Sequence, residues 1–244
     1  AVLAVVIHLS PVLRRALYPL LVGSQAVPIV IIAPLLVVWF GFGIVPKLGI
    51  IALVCFFPVV VTTLDALARE LLTAQGNLFT NGPVAFYFID EKVEELAETT
   101  SQVFLGVRLQ CTRCHHHPFE RWSQDDYYSL AAFFSQVGRK PSSTRGEDLI
   151  FHKRGIAVAN NMKTGAPLKP AALGDGIPEI APDEDPRLRL ADWMGRKENP
   201  FFAKALVNRY WKHFFQRGLI EPEDDIRDTN PPTNPALLNA LEQH

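Results

Sequence analysis

Between Ala16 and Pro46 the chain carries no charged side chain, and a second uncharged run follows from Leu48 to Leu64. Over residues 1–64 only Arg14, Arg15 and Lys47 are charged, so nearly all of the 24 basic and 25 acidic side chains lie beyond that point. A bilayer-crossing helix needs roughly 20 apolar residues, which makes the first run long enough and the second marginal. Pro19, Pro28, Pro34, Pro46 and Pro58 interrupt the runs, a pattern tolerated in polytopic membrane proteins, where neighbouring helices satisfy the freed carbonyls. The competing reading is a very apolar soluble core. A cleaved signal peptide fits poorly, because its apolar stretch is only about 7–15 residues long. Arg14 and Arg15 are expected to mark a membrane boundary. The chain opens inside an apolar run, as an internal piece of a longer protein would.

The pieces ALYPLL, QAVPI, APLLVVWFG and CFFPVVV occur in that order between Ser10 and Leu67. Together they resemble the middle of a binding-protein-dependent ABC transporter permease of the type that imports nitrate, sulfonates or thiamine precursors. The resemblance implies membrane-embedded helices, followed by a cytoplasmic coupling loop that docks on an ATPase subunit. This chain continues instead as ARELLTAQGNLFTNGPVAFYFID. Neither an ABC ATPase partner nor ATP-driven transport is therefore expected.

Beyond the junction the pattern is that of a soluble, mainly helical protein. Over residues 92–110, Val93, Leu96, Ala97, Val103, Phe104 and Val107 recur at helical spacing, with Glu91, Glu94, Glu95 and Glu98 near the start, where the helix dipole favours negative charge. This helix is expected to deliver Cys111 at its end. SQDDYYSLAAFFSQV predicts a second helix, with Ser123 as N-cap, Asp126 completing a capping box, and Tyr127, Leu130, Ala131 and Phe134 on one face. Prolines and glycines make residues 138–186 loop-rich, with DLIFHK and GIAVANN as the arms of a short hairpin. Asp185-Pro186 and Asn199-Pro200 each place a capping residue before a proline at the first helical position. From Pro200 to Arg217, Phe202, Leu206, Tyr210, His213 and Phe214 share a face, Gly218 is the expected stop, and Asn234-Pro235 opens a last short helix. Every helix expected to pack around the second cysteine-bearing stretch lies from about Phe86 onward.

That stretch is CTRCHHHPF, Cys111 to Phe119. C-x-x-C-H is the attachment signature of c-type haem: both thiols add to the porphyrin edge and the histidine is placed beneath the iron. Here the anchors would be Cys111 and Cys114 and the axial ligand His115. A structural zinc site is the main alternative; a thioredoxin-like redox pair and two buried free thiols are weaker ones. With a net charge of −1 the chain offers no electrostatic case for nucleic acid. Three cysteines do not make a disulfide framework.

Thr100 to Val137, TSQVFLGVRLQCTRCHHHPFERWSQDDYYSLAAFFSQV, resembles the planctomycete cytochrome c-like family, large exported proteins built from paired domains of unknown function. NPFFAKALVNRYWKHFFQRGLIEPEDDIRDTNPPTNPALLNALEQ resembles the start of that family's second domain. The resemblance implies covalent haem c on Cys111 and Cys114, His115 as its ligand and an extracytoplasmic location, but no defined reaction; a redox partner protein is a further expectation for an electron-transfer domain. Met162, on a downstream loop, is a candidate sixth ligand. His152 and His213 are others, although His213 on an apolar face reads more simply as a core histidine. His116 and His117 fit hydrogen bonds to haem propionates or to the next helix start.

The expected fold is mainly α: apolar transmembrane-type helices, then a mostly helical, loop-rich haem-type domain with at most a small β-hairpin. Its divisions are a permease-like membrane segment (1–67), the cytochrome c-like domain (68–137), a loop-rich connection (138–198) and the start of a second helical domain (199–244). The functional expectation is a membrane-anchored haem protein for electron transfer. A non-transporting permease fragment and a zinc module are the alternatives.

Overall fold

The first described helix lies where charge returns to the chain. The computed structural model describes residues 65–142 and 147–242. Residues 65–73 are helical (α1), and β1 (Gly76–Asn77) follows. A 3-10 turn, Gly82–Ala85, leads into the short α2 (Phe86–Ile89). Next come α3 (Val93–Thr100), a π-turn over Ser101–Leu105, a 3-10 turn over Gln110–Arg113 and α4 (Gln124–Ala132). The strands β2 (Val137–Pro141), β3 (Asp148–His152), β4 (Ala159–Asn160) and β5 (Pro167–Leu168) occupy the middle. The chain finishes with α5 (Pro186–Met194), α6 (Phe202–Phe215) and α7 (Pro235–Glu242).

Several expectations are corrected. Among the described residues no helix is long and apolar enough to cross a membrane. The 14 residues of α6 rise only about 21 Å, against a hydrocarbon core of about 30 Å. The transmembrane-type helices therefore do not stand as part of the described fold. The segment on which they were placed, with the Arg14–Arg15 boundary and Cys55, lies outside the described residues. The single hairpin is also wrong. Asp148–His152 pairs antiparallel with Val137–Pro141 on one side and with Gly76–Asn77 on the other, giving the order β1-β3-β2. The supposed second arm pairs with Pro167–Leu168 in a separate two-stranded sheet. The strand signal at 148–152 was right, but its partners lie before it in the chain.

The compact unit that carries the fold runs from Ala68 to His244. Its centre is α4, whose Tyr127, Leu130 and Ala131, with Phe134 in the turn just after it, are all fully buried, as their spacing predicts. Around them pack Leu96 and Ala97 of α3, Leu72 of α1 and Leu190 of α5. Each such leucine contributes about 1.5–3 kcal/mol through the area it removes from water. Trp122, Phe201 and Trp193 form an aromatic chain with centroid spacings of 6.0 and 6.2 Å. Because Ala68, Leu72 and Ala74 belong to this core and β1 to the sheet, the packed unit begins well before Phe86.

A buried ion pair fastens α5 to this core. Asp185 caps α5 through the Arg187 amide, and Pro186 fills the first turn, as predicted. Arg187 donates to Asp185 through Nε (2.9 Å to Oδ1) and Nη2 (2.6 Å to Oδ2), and through Nη1 to the Ala74 carbonyl at 3.2 Å. Its side chain is 1% exposed and that of Asp185 7%. Burial opposes the Arg187 charge, but Asp185 and Tyr87 together outweigh it and hold the guanidinium pKa above its ordinary value. The Tyr87 ring lies 5.0 Å beneath the guanidinium, and its hydroxyl donates to the Leu72 carbonyl. Burial pushes that hydroxyl up to about 12, despite the lowering effect of Arg187.

The later helices depart from expectation in detail. Asn199 receives the amides of Phe201 and Phe202 (3.0 and 2.9 Å), but Pro200 lies ahead of α6 and Phe201 is its N-cap. The buried positions of α6 are Ala205 and Asn208, while His213 is exposed; it is not a core histidine. Asn208 Nδ2 donates to the Ile220 carbonyl at 2.8 Å, so the polar residue is satisfied by the chain that packs there. The helix stops at Gln216, in the left-handed region, ahead of Gly218. Asn234 starts α7 as expected, accepting the Leu237 amide at 3.1 Å, and Leu238 closes a small cluster with Leu219 and Ile220.

Candidate functional site

The motif is set by two residues that the spacing alone does not single out. The α3 helix does not reach it, because the π-turn ends at Gly106 with φ +67°. A Cβ there would come within 2.6 Å of Ile226 and 3.2 Å of Ala205, so the glycine both breaks the helix and admits the second half of the unit. The chain then threads buried Val107 and Leu109 and tightens into the 3-10 turn Gln110–Arg113. Thr112 faces inward, fully buried, with its amide on the Leu109 carbonyl at 2.8 Å and its hydroxyl on the same oxygen. With Thr112 inside, Cys111 and Cys114 on either side of it point outward. Both are free and exposed, which removes the reading of two buried thiols.

The carbonyl of Arg113 is the second fixed point. It accepts from Tyr128 Oη at 3.1 Å and Gln124 Nε2 at 3.2 Å, which ties the turn to α4. The His115 amide lies 3.4 Å from the Cys111 carbonyl. His115 is exposed, and its Nδ1 lies 2.6 Å from the His116 carbonyl. A carbonyl only accepts, so Nδ1 is the donor, and in the neutral ring the lone pair is on Nε2. His116 Nδ1 receives the Gln124 amide at 3.3 Å at the start of α4, one of the two roles expected of it. His117 is held by its amide to Trp122 O (2.9 Å) and by Nδ1 to the Phe119 amide (3.2 Å). Ser123 and Asp126 form the predicted capping box, so α4 begins immediately after this loop.

Below the turn, Tyr127 donates to Glu98 at 2.6 Å, and burial together with that carboxylate raises its pKa. Tyr128 is raised too, chiefly by burial, against the lowering effect of the Met162 backbone. The Met162 side chain itself is 73% exposed. His152, on β3, leaves a buried Nε2 without a hydrogen-bond partner. His213 is stacked edge-on to Phe214 at 5.1 Å, on α6. The second half of the unit borders the motif loop: Arg227 lies over the Phe119 ring (6.0 Å), Thr229 reaches Glu120 (3.3 Å), and Ile226 N donates to Gly106 O at 2.8 Å. Arg108 and Gln102 hold Asp224 there; against the effect of burial, those contacts keep its carboxyl below the usual range.

Among the described residues no group of three His, Cys, Asp or Glu side chains is placed to hold a metal ion. A cleft of about 750 Å³ lined by Phe133, Trp193, Arg189 and Arg196 shares no residue with the motif. Its arginines are already paired, Arg189 with Glu184 (2.6 Å) and Arg196 with Asp175 (2.9 Å). Sequence reasoning missed Thr112, Gln124 and Tyr128. The only available sign was that each falls on the inward phase of its turn.

Three families match successive parts of the chain. Residues 1–70 match the binding-protein-dependent transport system inner membrane component. Residues 67–139 match PSCyt2, a protein of unknown function (DUF1549), and residues 186–244 match PSD1, a protein of unknown function (DUF1553). The composition is thus chimera-like. Similar curated proteins include the formylaminopyrimidine transport permease protein ThiX of Halalkalibacterium halodurans, 41% identical over 28% of this chain and 28% of that protein. The riboflavin transport system permease protein RibX of Chloroflexus aurantiacus is 43% identical over 25% of this chain and 24% of its own length. A probable ABC transporter permease protein of Haemophilus influenzae is 42% identical over 26% of each. The chain therefore spans about a quarter of the length of these relatives. No solved structure matches it.

Proposed function

We propose that the unit beginning at Ala68 is an extracytoplasmic c-type haem-binding protein for electron transfer, associated with the membrane through the permease-like segment. The observation that carries this reading is the donor set. Two free thiols point outward from one turn, and the adjoining imidazole holds its proton on Nδ1, bonded to a carbonyl, which leaves Nε2 to a metal. Cys111 and Cys114 would form the thioether bonds and His115 would bind the iron. A zinc site needs four ligands, and among the described residues no group of even three His, Cys, Asp or Glu side chains is placed to hold a metal ion. When bound, the haem would supply a one-electron couple. This chain's contribution would be to hold the attachment turn rigid through Thr112, Gln124 and Tyr128 and to leave it open to a redox partner protein. Expression with cytochrome c maturation in an exporting host tests the reading: haem should survive acid-acetone extraction and give a sharp reduced spectrum. Stoichiometric zinc without a Soret band would end it.

A second reading concerns the permease-like residues. Their 41–43% identity to transport permeases supports membrane association. The sequence after Leu67 does not continue as a coupling loop, so we propose that this chain does not drive ATP-dependent uptake. Uptake restored to a permease-null strain by this chain would refute that.

A further inference from the structure

The turn that carries the two thiols is anchored at its two ends by different parts of the chain. At the Cys114 end the Arg113 carbonyl takes hydrogen bonds from Gln124 and Tyr128 of α4. At the Cys111 end the anchor is a relay of side chains. Gln110, the first residue of the 3-10 turn and the immediate neighbour of Cys111, donates through Nε2 to Gln102 Oε1 at 2.9 Å. Gln102 donates through Nε2 to Asp224 Oδ2, and Arg108 donates through Nη2 to Asp224 Oδ1. One carboxylate thus fixes residues on both sides of Gly106, the point at which the chain leaves the π-turn for the motif. Asp224 is itself held in place. Its side chain is 16% exposed, and two residues on, the Ile226 amide donates to the Gly106 carbonyl at 2.8 Å. Gln102 is held from a third direction, by Arg209 Nη2 of α6 on its carbonyl at 2.7 Å. Asp224 and Arg209 lie in the stretch that matches PSD1, whereas Gln102, Gln110 and Cys111 lie in the stretch that matches PSCyt2.

We propose that Asp224 is the positioning residue for the Cys111 thiol, so that the region matching one family sets how the motif in the other presents its first thiol. The carboxylate acts on the thiol through Gln102 and Gln110. Hydrogen bonds to an ionised acceptor are roughly twice as strong as neutral ones, which makes Asp224 the fixed end of the relay and the exposed Gln110 the end that it steadies. Cys114 is steadied separately, through Arg113 and α4. This role is the same whichever group the thiols take up, haem included.

The reduced full chain, free of haem, tests this by alkylation of each cysteine with iodoacetamide and by amide hydrogen exchange, both read peptide by peptide. Gln110→Ala, an exposed change, and Asp224→Ala should each raise the ratio of Cys111 to Cys114 alkylation, and the exchange of residues 106–112, by about two- to tenfold, which is what one net hydrogen bond is worth. Exchange in α4 should not move. Gln102→Glu should act in the same way, by setting two carboxylates against each other. Adding Asp224→Asn to it should restore the parent values. The new amide then donates to the carboxylate at position 102, whose other oxygen still accepts from Gln110, while the amide oxygen still accepts from Arg108. A ratio unmoved by Gln110→Ala overturns the relay. An Asp224→Ala chain whose exchange rises in α4 as much as in 106–112 overturns the positioning role, because the residue would then serve the fold at large. A pair of substitutions that fails to restore the ratio overturns it too. Haem attachment decides none of these outcomes, so the haem reading stands or falls separately.

Discussion

The turn Cys111–His115 and the cluster Asp185–Arg187–Tyr87 handle polar groups in opposite ways. The turn sends its reactive atoms outward and buries only the residue between them, Thr112. The cluster buries a full ion pair and satisfies it with a carboxylate and a backbone carbonyl. In the first, stability belongs to the scaffold and chemistry to the surface. In the second, the polar groups are themselves part of the scaffold. Changes to the cluster should therefore unfold the protein, whereas changes to the motif should leave it folded and inert.

The largest expected effect comes from removing the segment that the cluster holds. A chain beginning at Asn81 lacks Ala68, Leu72, Ala74 and β1, and with them the carbonyl that Arg187 Nη1 reaches. Loss of a buried leucine alone costs about 2–5 kcal/mol, against a total of about 5–15 kcal/mol for a domain. Such a chain should lose its cooperative thermal transition by near-UV circular dichroism, and one beginning at Ala68 should keep it. A cooperative melt from Asn81 onward would break the contrast.

Next is Arg187→Ala, which strands Asp185 in the interior. Leaving one partner of a buried pair uncompensated costs about 3–5 kcal/mol. Pairing Asp185→Asn with Arg187→Met should cost less than Arg187→Ala alone, because neither partner remains as a lone charge. Urea unfolding of both variants checks the order.

Tyr87 sharpens the same comparison through pH. Its hydroxyl is raised to about 12 in the fold, so the neutral form is favoured by folding. Its contribution is fully present below the unfolded value of about 10 and is lost as pH rises through 12, an upper change of about 2–3 kcal/mol at about 1.4 kcal/mol per unit. Stability measured from pH 8 to 12 should fall in that window, and Tyr87→Phe should flatten the fall. Smaller still is Ser123→Ala, which removes the cap that starts α4 beside the motif. It should cost about 1 kcal/mol by denaturant titration.

What could be read from the sequence follows the range of the interactions. The capping box at Ser123–Asp126, the caps at Asp185 and Asn234 and the buried face of α4 depend on residues within a turn or two of each other, and they appear as expected. The three-stranded sheet joins residues 76–77, 137–141 and 148–152, and no local pattern announces which strand will find which. Arg187 looks like one surface arginine among many until Ala74 is brought beneath it from 113 residues away. The face of α6 was misjudged for a related reason. Periodicity marked Phe202, Leu206 and Tyr210, but Gly106 comes up against Ala205 and the chain at Ile220 bonds Asn208, so small size and two amide hydrogen bonds matter more there than hydrophobicity. For the motif, spacing marked Cys111, Cys114 and His115 as candidates, and the tertiary contacts through Tyr128 and Gln124, which hold the turn to α4, were not legible in it.

The smallest effect on stability, and the one that best separates the two regions, should come from Cys114→Ala and His115→Ala. Both side chains are exposed, and among the described residues the His115 ring bonds only the carbonyl of the next residue. Exposed substitutions away from caps and buried networks usually change stability by no more than about 0.5 kcal/mol. The two variants, prepared without haem, should therefore melt with the parent chain. After maturation with haem they should differ sharply: Cys114→Ala should weaken covalent attachment, and His115→Ala should keep both thioether bonds while altering the iron spin state. A haem-free His115→Ala protein destabilised as much as Arg187→Ala would mean that the imidazole is structural after all. The distinction between an outward-facing motif and a buried scaffold would then fail at its central residue.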